Sequence, residues 1–468
     1  MPPRRLPLPL LALLVLGLIL ALAAPASAEV RTETFRHGPI EVGGYEVKQK
    51  DVDLSVPEPN VDGFVTNMEV DVVDEAGRPV PINRLMLHHI VFLNGGRTFG
   101  ERHDGTCGSF LGLDSRTNFP AIAERFYAAG EERAKLALPP GYGYRIHQGE
   151  QWLMTWMLMN HRKQTDRAYI QYKVTYDTSP DLRPAVPYWL DVRNCLADPI
   201  FDVPGGGRPG SRYETSTTWT APQSGRIVAA GGHVHGGAYG LRTTMPDCGD
   251  RELFDVDPAW GMPSHPFYNV KPVLHEPGPI ATSWQTSSEG WRVTKGERVR
   301  LTASYDNSRP HTRAMGIQML FLAPDEGVTE RCAPPPADAR EDQTAEPHRT
   351  VPPRFRVPII GLDARGRAVE IQRAPGRTRR LGSRSTIRVK DFRFGVGNAV
   401  VRAGTTLRWR FEDPELHNVT LADGPRGFSS AHLSDGRTYR KRLTVPGTYK
   451  LFCGLHPVSM TQTVRVRR

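Results

Sequence analysis

Cysteine, aromatic residues and long apolar runs are all scarce in this chain. Five of its 468 residues are cysteine and 8% are aromatic. After residue 24, no apolar stretch is long enough to span a bilayer. There is no internal repeat at a fixed short period, so a repeat architecture is not expected. The length exceeds what one hydrophobic core accommodates, which predicts about three domains.

The first 28 residues have the three parts of a secretory signal. Twin arginines precede an apolar stretch over residues 6–24, and small residues at 26–28 predict cleavage before Glu29. We therefore expect a secreted or otherwise extracytoplasmic protein. No cysteine lies at the cleavage point, which argues against a lipoprotein anchor. Because the apolar stretch is long for a signal, an uncleaved membrane anchor stays open as an alternative.

The cysteine count fits an oxidising compartment. If Cys453 binds a metal, four cysteines remain for two disulfides, with three possible connectivities. Shared domain membership favours two pairs, Cys107 with Cys195 and Cys248 with Cys332. The alternative, that some of these are buried free thiols, is weaker outside the cytoplasm.

Positive charge is concentrated at one end of the chain. The formal net charge is +10, and residues 356–468 carry more than all of it, so the rest is mildly acidic. The two parts should attract each other. Nucleic acid is not an expected partner, because the arginines are scattered along strands without the interleaved aromatic residues that stack on bases.

Proline and glycine divide the chain. Residues 333–356 are rich in proline and polar residues and are predicted to be a linker, long enough to let the C-terminal domain dock at several places. A glycine-rich run at 205–210 marks a second boundary. The predicted domains are therefore 29–204, 205–332 and 357–468.

Short alternating runs predict an all-β fold. Four of them in the first two domains are bounded by turn residues, and one segment, 120–138, is predicted to be helical. The runs are 169–176, 226–230, 299–305 and 317–322. Two β-sandwiches followed by the linker and a third β domain is the simplest architecture.

The C-terminal domain contains a loop with metal-ligand spacing. Cys453, His456 and Met460 lie between two predicted strands, 449–452 and 461–466, and His417 follows the strand at 405–411. A thiolate, two imidazoles and a thioether select copper. They predict a His2Cys site with a long axial methionine that transfers one electron. The competing interpretation is a buried thiol beside a surface histidine, and His432 is predicted to be a surface residue.

Residues 388–468 resemble the cupredoxins of the plastocyanin and pseudoazurin type. His417, Cys453, His456 and Met460 fall on the ligand positions of that family. The resemblance implies a Greek-key β-sandwich that holds one type 1 (blue) copper.

The first two domains carry further histidines. His233 and His235, in a Gly-His-Val-His-Gly motif, would point to one face of a strand and could bind one ion. His88 and His89 are neighbours, so both reach one ion only through a bulge or the nearer ring nitrogen. His161 and Met315, at the edges of predicted strands, are uninformative alone, and each by itself is better interpreted as a core residue.

In this order, the six residues resemble the copper type II, ascorbate-dependent monooxygenases, such as peptidylglycine and dopamine β-monooxygenase, over about residues 70–332. The resemblance implies two jelly-roll-like sandwiches with two type 2 coppers. His88, His89 and His161 would hold an electron-receiving copper. His233, His235 and Met315 would hold the copper that activates dioxygen, and would be the catalytic residues. An ascorbate-like or protein electron donor is implied, whereas the substrate, a small molecule or a peptide, is not transferable.

Two functions from different classes follow. The leading hypothesis is an exported two-copper monooxygenase that hydroxylates a C–H bond with electrons relayed by its own blue-copper domain. The alternative is a non-catalytic extracytoplasmic protein for copper storage or electron transfer. Oxygen consumption with a reductant separates the two.

Overall fold

The structure is a computed structural model that describes residues 29–106, 123–193 and 199–468. Within these residues nearly all regular structure is β-strand, and the two helical elements are short 3₁₀ turns, Pro246–Cys248 and Pro266–Asn269. The prediction of an all-β fold is confirmed. None of the described helices is long and apolar enough to cross a membrane. The predicted signal segment and the cysteines at 107 and 195 lie outside the described residues.

The first sandwich is built from ten strands. They are β1 (Val30–Val42), β2 (Val47–Val56), β3 (Gly63–Val73), β4 (Leu85–Asn94), β5 (Glu124–Gly130), β6 (Leu136–Ala137), β7 (Tyr142–Ile146), β8 (Trp152–Asn160), β9 (Asp166–Asp177) and β10 (Arg183–Pro184). One sheet has the order β1-β9-β3-β7-β10, with β6 paired to β3, and the other has the order β2-β8-β4-β5. Buried and more exposed residues alternate along β9, as expected for a strand with one face on the core.

The second sandwich follows directly. Its strands are β11 (Val186–Asp191), β12 (Phe201–Val203), β13 (Arg212–Thr220), β14 (Gly225–Val234), β15 (Ala238–Met245), β16 (Arg251–Val256), β17 (Pro258–Gly261), β18 (Ala281–Thr282), β19 (Trp284–Val293), β20 (Arg298–Asp306), β21 (His311–Ala314), β22 (Gly316–Pro324), β23 (Arg340–Asp342) and β24 (His348–Arg349). The two main sheets have the orders β11-β22-β14-β19-β23 and β13-β20-β15-β16. Smaller sheets join β12 to β21 and β18 to β17 and β24.

Both predicted boundaries of this sandwich are displaced. β11 and β12 precede the glycine-rich run at 205–210 but pair with β22 and β21, so the chain enters the second sandwich before that run. The sequence of β11 explains its place in the second sandwich, because its near-continuous apolar residues are buried where the strand pairs with β22. Within the predicted linker, β23 pairs with β19 and β24 with β17. That segment is attached to the second sandwich.

The C-terminal sandwich comprises residues 378–468 and is preceded by a hairpin, β25 (Ile360–Leu362) and β26 (Ala368–Glu370). Its strands are β27 (Thr378–Arg380), β28 (Thr386–Lys390), β29 (Arg393–Phe394), β30 (Asn398–Arg402), β31 (Thr405–Phe411), β32 (Thr420–Asp423), β33 (Thr438–Leu443), β34 (Gly447–Phe452) and β35 (Thr461–Arg467). The sheets have the orders β27-β30-β35-β34-β32 and β29-β28-β31-β33.

The predicted helix over residues 120–138 is wrong where the structure describes it. β5 and β6 occupy that segment, and β5 pairs antiparallel with β4. Alanine, glutamate and lysine give the segment a helical composition, but pairing and burial of Phe126 and Tyr127 decide its conformation.

Other local predictions are confirmed. The four alternating runs lie within β9, β14, β20 and β22. Cys248 and Cys332 form a disulfide that closes a loop of 84 residues. Cys453 is a buried free cysteine.

Candidate metal centres

The loop between β34 and β35 is held tightly by its own backbone. The amide of Cys453 donates to the carbonyl of Met460 (3.0 Å), and the amide of Met460 donates to the carbonyl of His456 (3.0 Å). Gly454 donates to Oδ1 of Asn418 (2.6 Å), which ties this loop to the segment that carries His417. The loop after β34 and the segment that carries His417 therefore bring their side chains to one buried point.

Three of the four predicted ligands meet there. Nδ1 of His417 lies 3.1 Å from Nδ1 of His456, and Sγ of Cys453 lies 3.5 Å from the same His456 atom. Nε2 of His417 donates to Asp413 (2.8 Å), which leaves Nδ1 with its lone pair facing inward. Burial raises the pKa of the Cys453 thiol and lowers that of His456 to about 4.

This donor set fits copper. Two imidazole nitrogens and a thiol within ligand-to-ligand distance, with a carboxylate that orients one ring, are the features of a soft-to-borderline metal site. The amide of Asn418 donates to Sγ of Cys453 (3.3 Å), which stabilises a thiolate. Met460 is fully buried in the same apolar cluster.

His88 and His89 show both of the features that let neighbouring histidines reach one ion. The pairing of β4 with β8 shifts register between Leu87 and His89, which is a bulge. Nδ1 of His88 lies 3.1 Å from Nδ1 of His89. Both rings can therefore face one ion through their nearer nitrogens. Burial lowers the pKa of His89 to about 3 and that of His88 well below its ordinary value.

His233 and His235 present their far nitrogens. Nδ1 of His233 donates to Glu132 (3.0 Å), and Nδ1 of His235 donates to the carbonyl of Arg313 (2.6 Å). Both Nε2 atoms are buried and have no hydrogen-bond partner among the described residues. An imidazole whose Nδ1 is engaged by an acceptor is oriented for a metal at Nε2.

The two histidine pairs lie in one cluster, although the sequence assigned them to separate coppers. The ring centroid of His88 lies 5.2 Å from that of His89, 5.2 Å from that of His235 and 4.9 Å from that of His275. The ring centroids of His233 and His235 are 4.8 Å apart. We refer to these five residues as the histidine cluster. It lies where the first and second sandwiches meet, since β4 and β14 belong to different sandwiches.

Gly130 makes this meeting possible. It pairs with His89 across the sheet, at the end of β5. A Cβ at Gly130 would lie 2.6 Å from Cε1 of His233, closer than real Cβ atoms approach. Only glycine lets the ring of His233 reach this strand without displacement.

The remaining two predicted ligands lie nearby. His161 is 4% exposed and, with His275 and Met86, borders a small cavity. Burial, with a smaller effect of His275, lowers the pKa of His161 to about 3. The side chain of Met315 packs in the core that the two sandwiches share. Its carbonyl accepts from Tyr305 Oη (2.5 Å), which also accepts from the amide of His235 (3.0 Å). The division of these six residues between two coppers stays a prediction.

Sequence reasoning missed three residues of the cluster region. Glu131 and Glu132 follow β5 and contact His275 and His233, and His275 lies in the loop before β18. A carboxylate pair after a strand was the only local signal for the two glutamates, and the helical interpretation of that segment concealed it. His275 has no local signal at all.

Arg313 joins the two centres. Nη1 of Arg313 donates to Nε2 of His432 (2.7 Å), and the same atom would lie 3.1 Å from a Cβ at Gly454, beside Cys453. His432, which the sequence analysis expected at the surface, is partly exposed. Burial, then Arg313, His89 and His456, lower its pKa well below the ordinary value, so His432 lies within electrostatic range of a residue of each centre.

Comparison with known proteins gives little beyond this geometry. No family model and no curated protein matches the sequence. Solved structures of amicyanin match part of the chain. An oxidised mutant is 20% identical with a TM-score of 0.16, over 18% of this chain and 80% of amicyanin. A reduced mutant is 19% identical with a TM-score of 0.17, over 18% and 83%. At these scores the likeness carries no argument, so the site assignment rests on the distances above.

Proposed function

We propose that the protein is an exported copper oxidoreductase in which the C-terminal sandwich and the histidine cluster act as one electron-transfer unit. The observation that carries this proposal is the position of Arg313. Its side chain contacts the C-terminal sandwich at His432 and lies against the Cys453 loop, while its carbonyl orients His235. One residue thus contacts both centres.

Docking of the C-terminal sandwich supports the same proposal. Its apolar cluster, which contains Cys453 and Met460, continues into Met86, Met157 and Met159 of the first sandwich. Asp202 accepts from the amide of Ser429 (2.5 Å), and Lys163 donates to the carbonyl of Arg365 (2.6 Å) in the hairpin. The end of the sandwich that carries the Cys453 loop therefore faces the histidine cluster.

His417, Cys453, His456 and Met460 would hold a type 1 copper, which supplies one-electron redox chemistry. The protein contributes a buried, rigid site, because Asn418 and Asp413 fix the ligand orientations. Rigid ligands keep the geometry similar in both redox states, which favours fast electron exchange.

In its finer form the proposal is a two-copper monooxygenase. His233 and His235, with Met315 nearby in the structure because Gly316 pairs with Val234, would be the dioxygen side, and His88, His89 and His161 the electron-receiving side. An ascorbate-like or protein donor would supply electrons, and the C–H substrate is undefined. The Cys248–Cys332 disulfide is compatible with the proposed extracytoplasmic location.

The test uses the full chain loaded with copper. We expect about three coppers per chain, one blue and two colourless, and oxygen uptake when ascorbate is supplied. His235→Ala should lose one colourless copper and all oxygen uptake, whereas His89→Ala should retain dioxygen binding and turn over more slowly. His147→Ala, a partly exposed histidine paired with Asp62, is the matched control. Copper at the blue site alone, or wild-type behaviour of both variants, would contradict the monooxygenase form.

Copper storage is the second candidate, and the enclosure of the cluster favours it. His88 is only 4% exposed, so a bound ion would be shielded from external molecules. Storage predicts the same copper content without any oxygen uptake.

A further inference from the structure

Glu131 and His275 face His88 from loops that belong to different sandwiches. Nε2 of His275 lies 2.9 Å from Oε1 of Glu131, and Nε2 of His88 lies 3.8 Å from the same oxygen. One ligand atom from each residue lies within 4.8 Å of the others. Neither Glu131 nor His275 belongs to the ligand set that the sequence predicted.

The protonation of His275 makes this contact unusual. Its Nδ1 lies 2.7 Å from the carbonyl of Glu276, an acceptor, so Nδ1 must carry the proton. In the neutral ring, Nε2 then directs a lone pair at the Glu131 carboxylate, which is also an acceptor. Nε2 is buried and lacks the alignment of a hydrogen bond to any described residue. Two acceptors at this distance require either a second proton on the His275 ring or a metal ion that both of them bind.

Glu131 is fixed in this orientation. Its Oε2 accepts from the amide of Gly278 (2.6 Å), and its side chain is 4% exposed. A Cβ at Gly278 would lie 2.8 Å from the same Oε2, so any larger residue there would displace the carboxylate. A buried carboxylate that lacks a charged partner typically destabilises a protein by roughly several kcal/mol, and a bound cation offsets that cost.

We propose that His88, Glu131 and His275 bind a divalent first-row transition ion. Two imidazoles and one carboxylate suit Cu²⁺, Zn²⁺ or Fe²⁺, in contrast to the thiolate and thioether at Cys453 and Met460. His88 turns Nδ1 to His89 and Nε2 to Glu131, so this ion adjoins the His88–His89 position. The inference deepens the proposed function, because it adds ligands to the histidine cluster, but it does not require electron transfer.

The test measures metal content of the full chain after dialysis against Cu²⁺ alone and, separately, Zn²⁺ alone. Glu131→Gln and His275→Gln should each lose about one ion per chain and keep the blue colour. His147→Ala, which breaks a surface histidine–carboxylate contact of 3.0 Å, should lose none. Wild-type metal content in both variants overturns the proposal and leaves a protonated His275 as the cation.

A second measurement guards against misfolding. The near-UV circular dichroism and the Cys248–Cys332 disulfide should be unchanged in both variants, and Glu131→Asp should recover part of the lost binding because it restores the charge. If the blue colour is absent from the wild type but the Glu131-dependent ion is present, the electron-transfer function fails and this site stands. If the wild type binds one blue copper and nothing else, the site fails.

Discussion

Nη1 of Arg313 donates to Nε2 of His432 across 2.7 Å, and this contact joins the second sandwich to the C-terminal one. Arg313 has a positive φ of 59°, a conformation that costs a non-glycine residue about 1 kcal/mol. Two hydrogen bonds hold Arg313 in this strained conformation: its carbonyl accepts from His235, and its side chain donates to His432. The backbone and the side chain of one residue thus contact different centres.

Arg313→Met should lower the reduction potential of the blue copper. Removal of a positive charge beside Cys453 favours the oxidised site, by on the order of 150 mV for one charge a few ångströms away at an effective dielectric constant near 20. Electron exchange with the histidine cluster should slow at least tenfold. Redox titration and flash reduction measure the two effects.

Arg313→Lys is the informative companion variant. It should restore most of the potential because it keeps the charge, but not the exchange rate, since lysine lacks the planar group that contacts His432. Arg379→Met, at an exposed position of β27, is the control. Equal exchange rates in all four proteins would exclude a role of Arg313 in coupling.

Cys453→Ser should abolish the blue colour. The intense absorption of a type 1 site arises from the thiolate bound to Cu²⁺, which a serine hydroxyl does not provide. The visible spectrum of the copper-loaded variant checks this, and an unchanged spectrum would remove the assignment.

Gly130→Ala should displace His233 and lower the metal content of the histidine cluster by about one ion. The added Cβ would lie 2.6 Å from Cε1 of that ring, so the ring or the strand must shift. Gly382→Ala, where a Cβ meets nothing within 4 Å, should have no effect. Elemental analysis decides, and the blue colour should persist in both proteins.

Asp202 should make stability depend on pH. Burial raises its pKa from 3.8 to about 6, although the amide of Ser429 and Lys441 partly offset this. Because the folded protein holds the proton more tightly, this contribution is fully present below pH 3.8 and lost as pH rises through 6, by up to about 3 kcal/mol. Urea unfolding at pH 4 and pH 7 should show a smaller difference for Asp202→Asn than for the wild type.

Cys107 and Cys195 are predicted to form the second disulfide. Mass mapping of non-reduced peptides should recover them as one linked pair, separate from the Cys248–Cys332 pair. A peptide that joins Cys107 to Cys453 would contradict both this pairing and the copper site.

The C-terminal centre could be predicted because its chemistry is local. Three of its predicted ligands lie within eight residues of chain, between two strands with clear alternation, so spacing alone predicts that they lie together. The fourth, His417, follows a strand whose position the β pattern also predicts. The contact of His432 with Arg313 could not be predicted, since Arg313 belongs to another sandwich.

The histidine cluster depends on relationships that no local pattern contains. The register shift at Leu87 brings His88 and His89 to one side, and only the contact of two sandwiches places His275 beside His88. Strand alternation correctly suggested that the rings of His233 and His235 lie close together. The helical composition around Glu131 predicted the wrong element, because pairing with β4 outweighs local propensity there.

The strands β23 and β24 give the connecting segment a different role from the flexible one its composition suggested. Paired along β19 and β17, it does not let the C-terminal sandwich travel between distant partners. A loosely tethered carrier captures its partner at a rate that depends on tether length. Here electron exchange between the C-terminal sandwich and the histidine cluster should be first order, unaffected by dilution and nearly independent of salt. Only the step in which an outside reductant diffuses to the protein should depend on concentration.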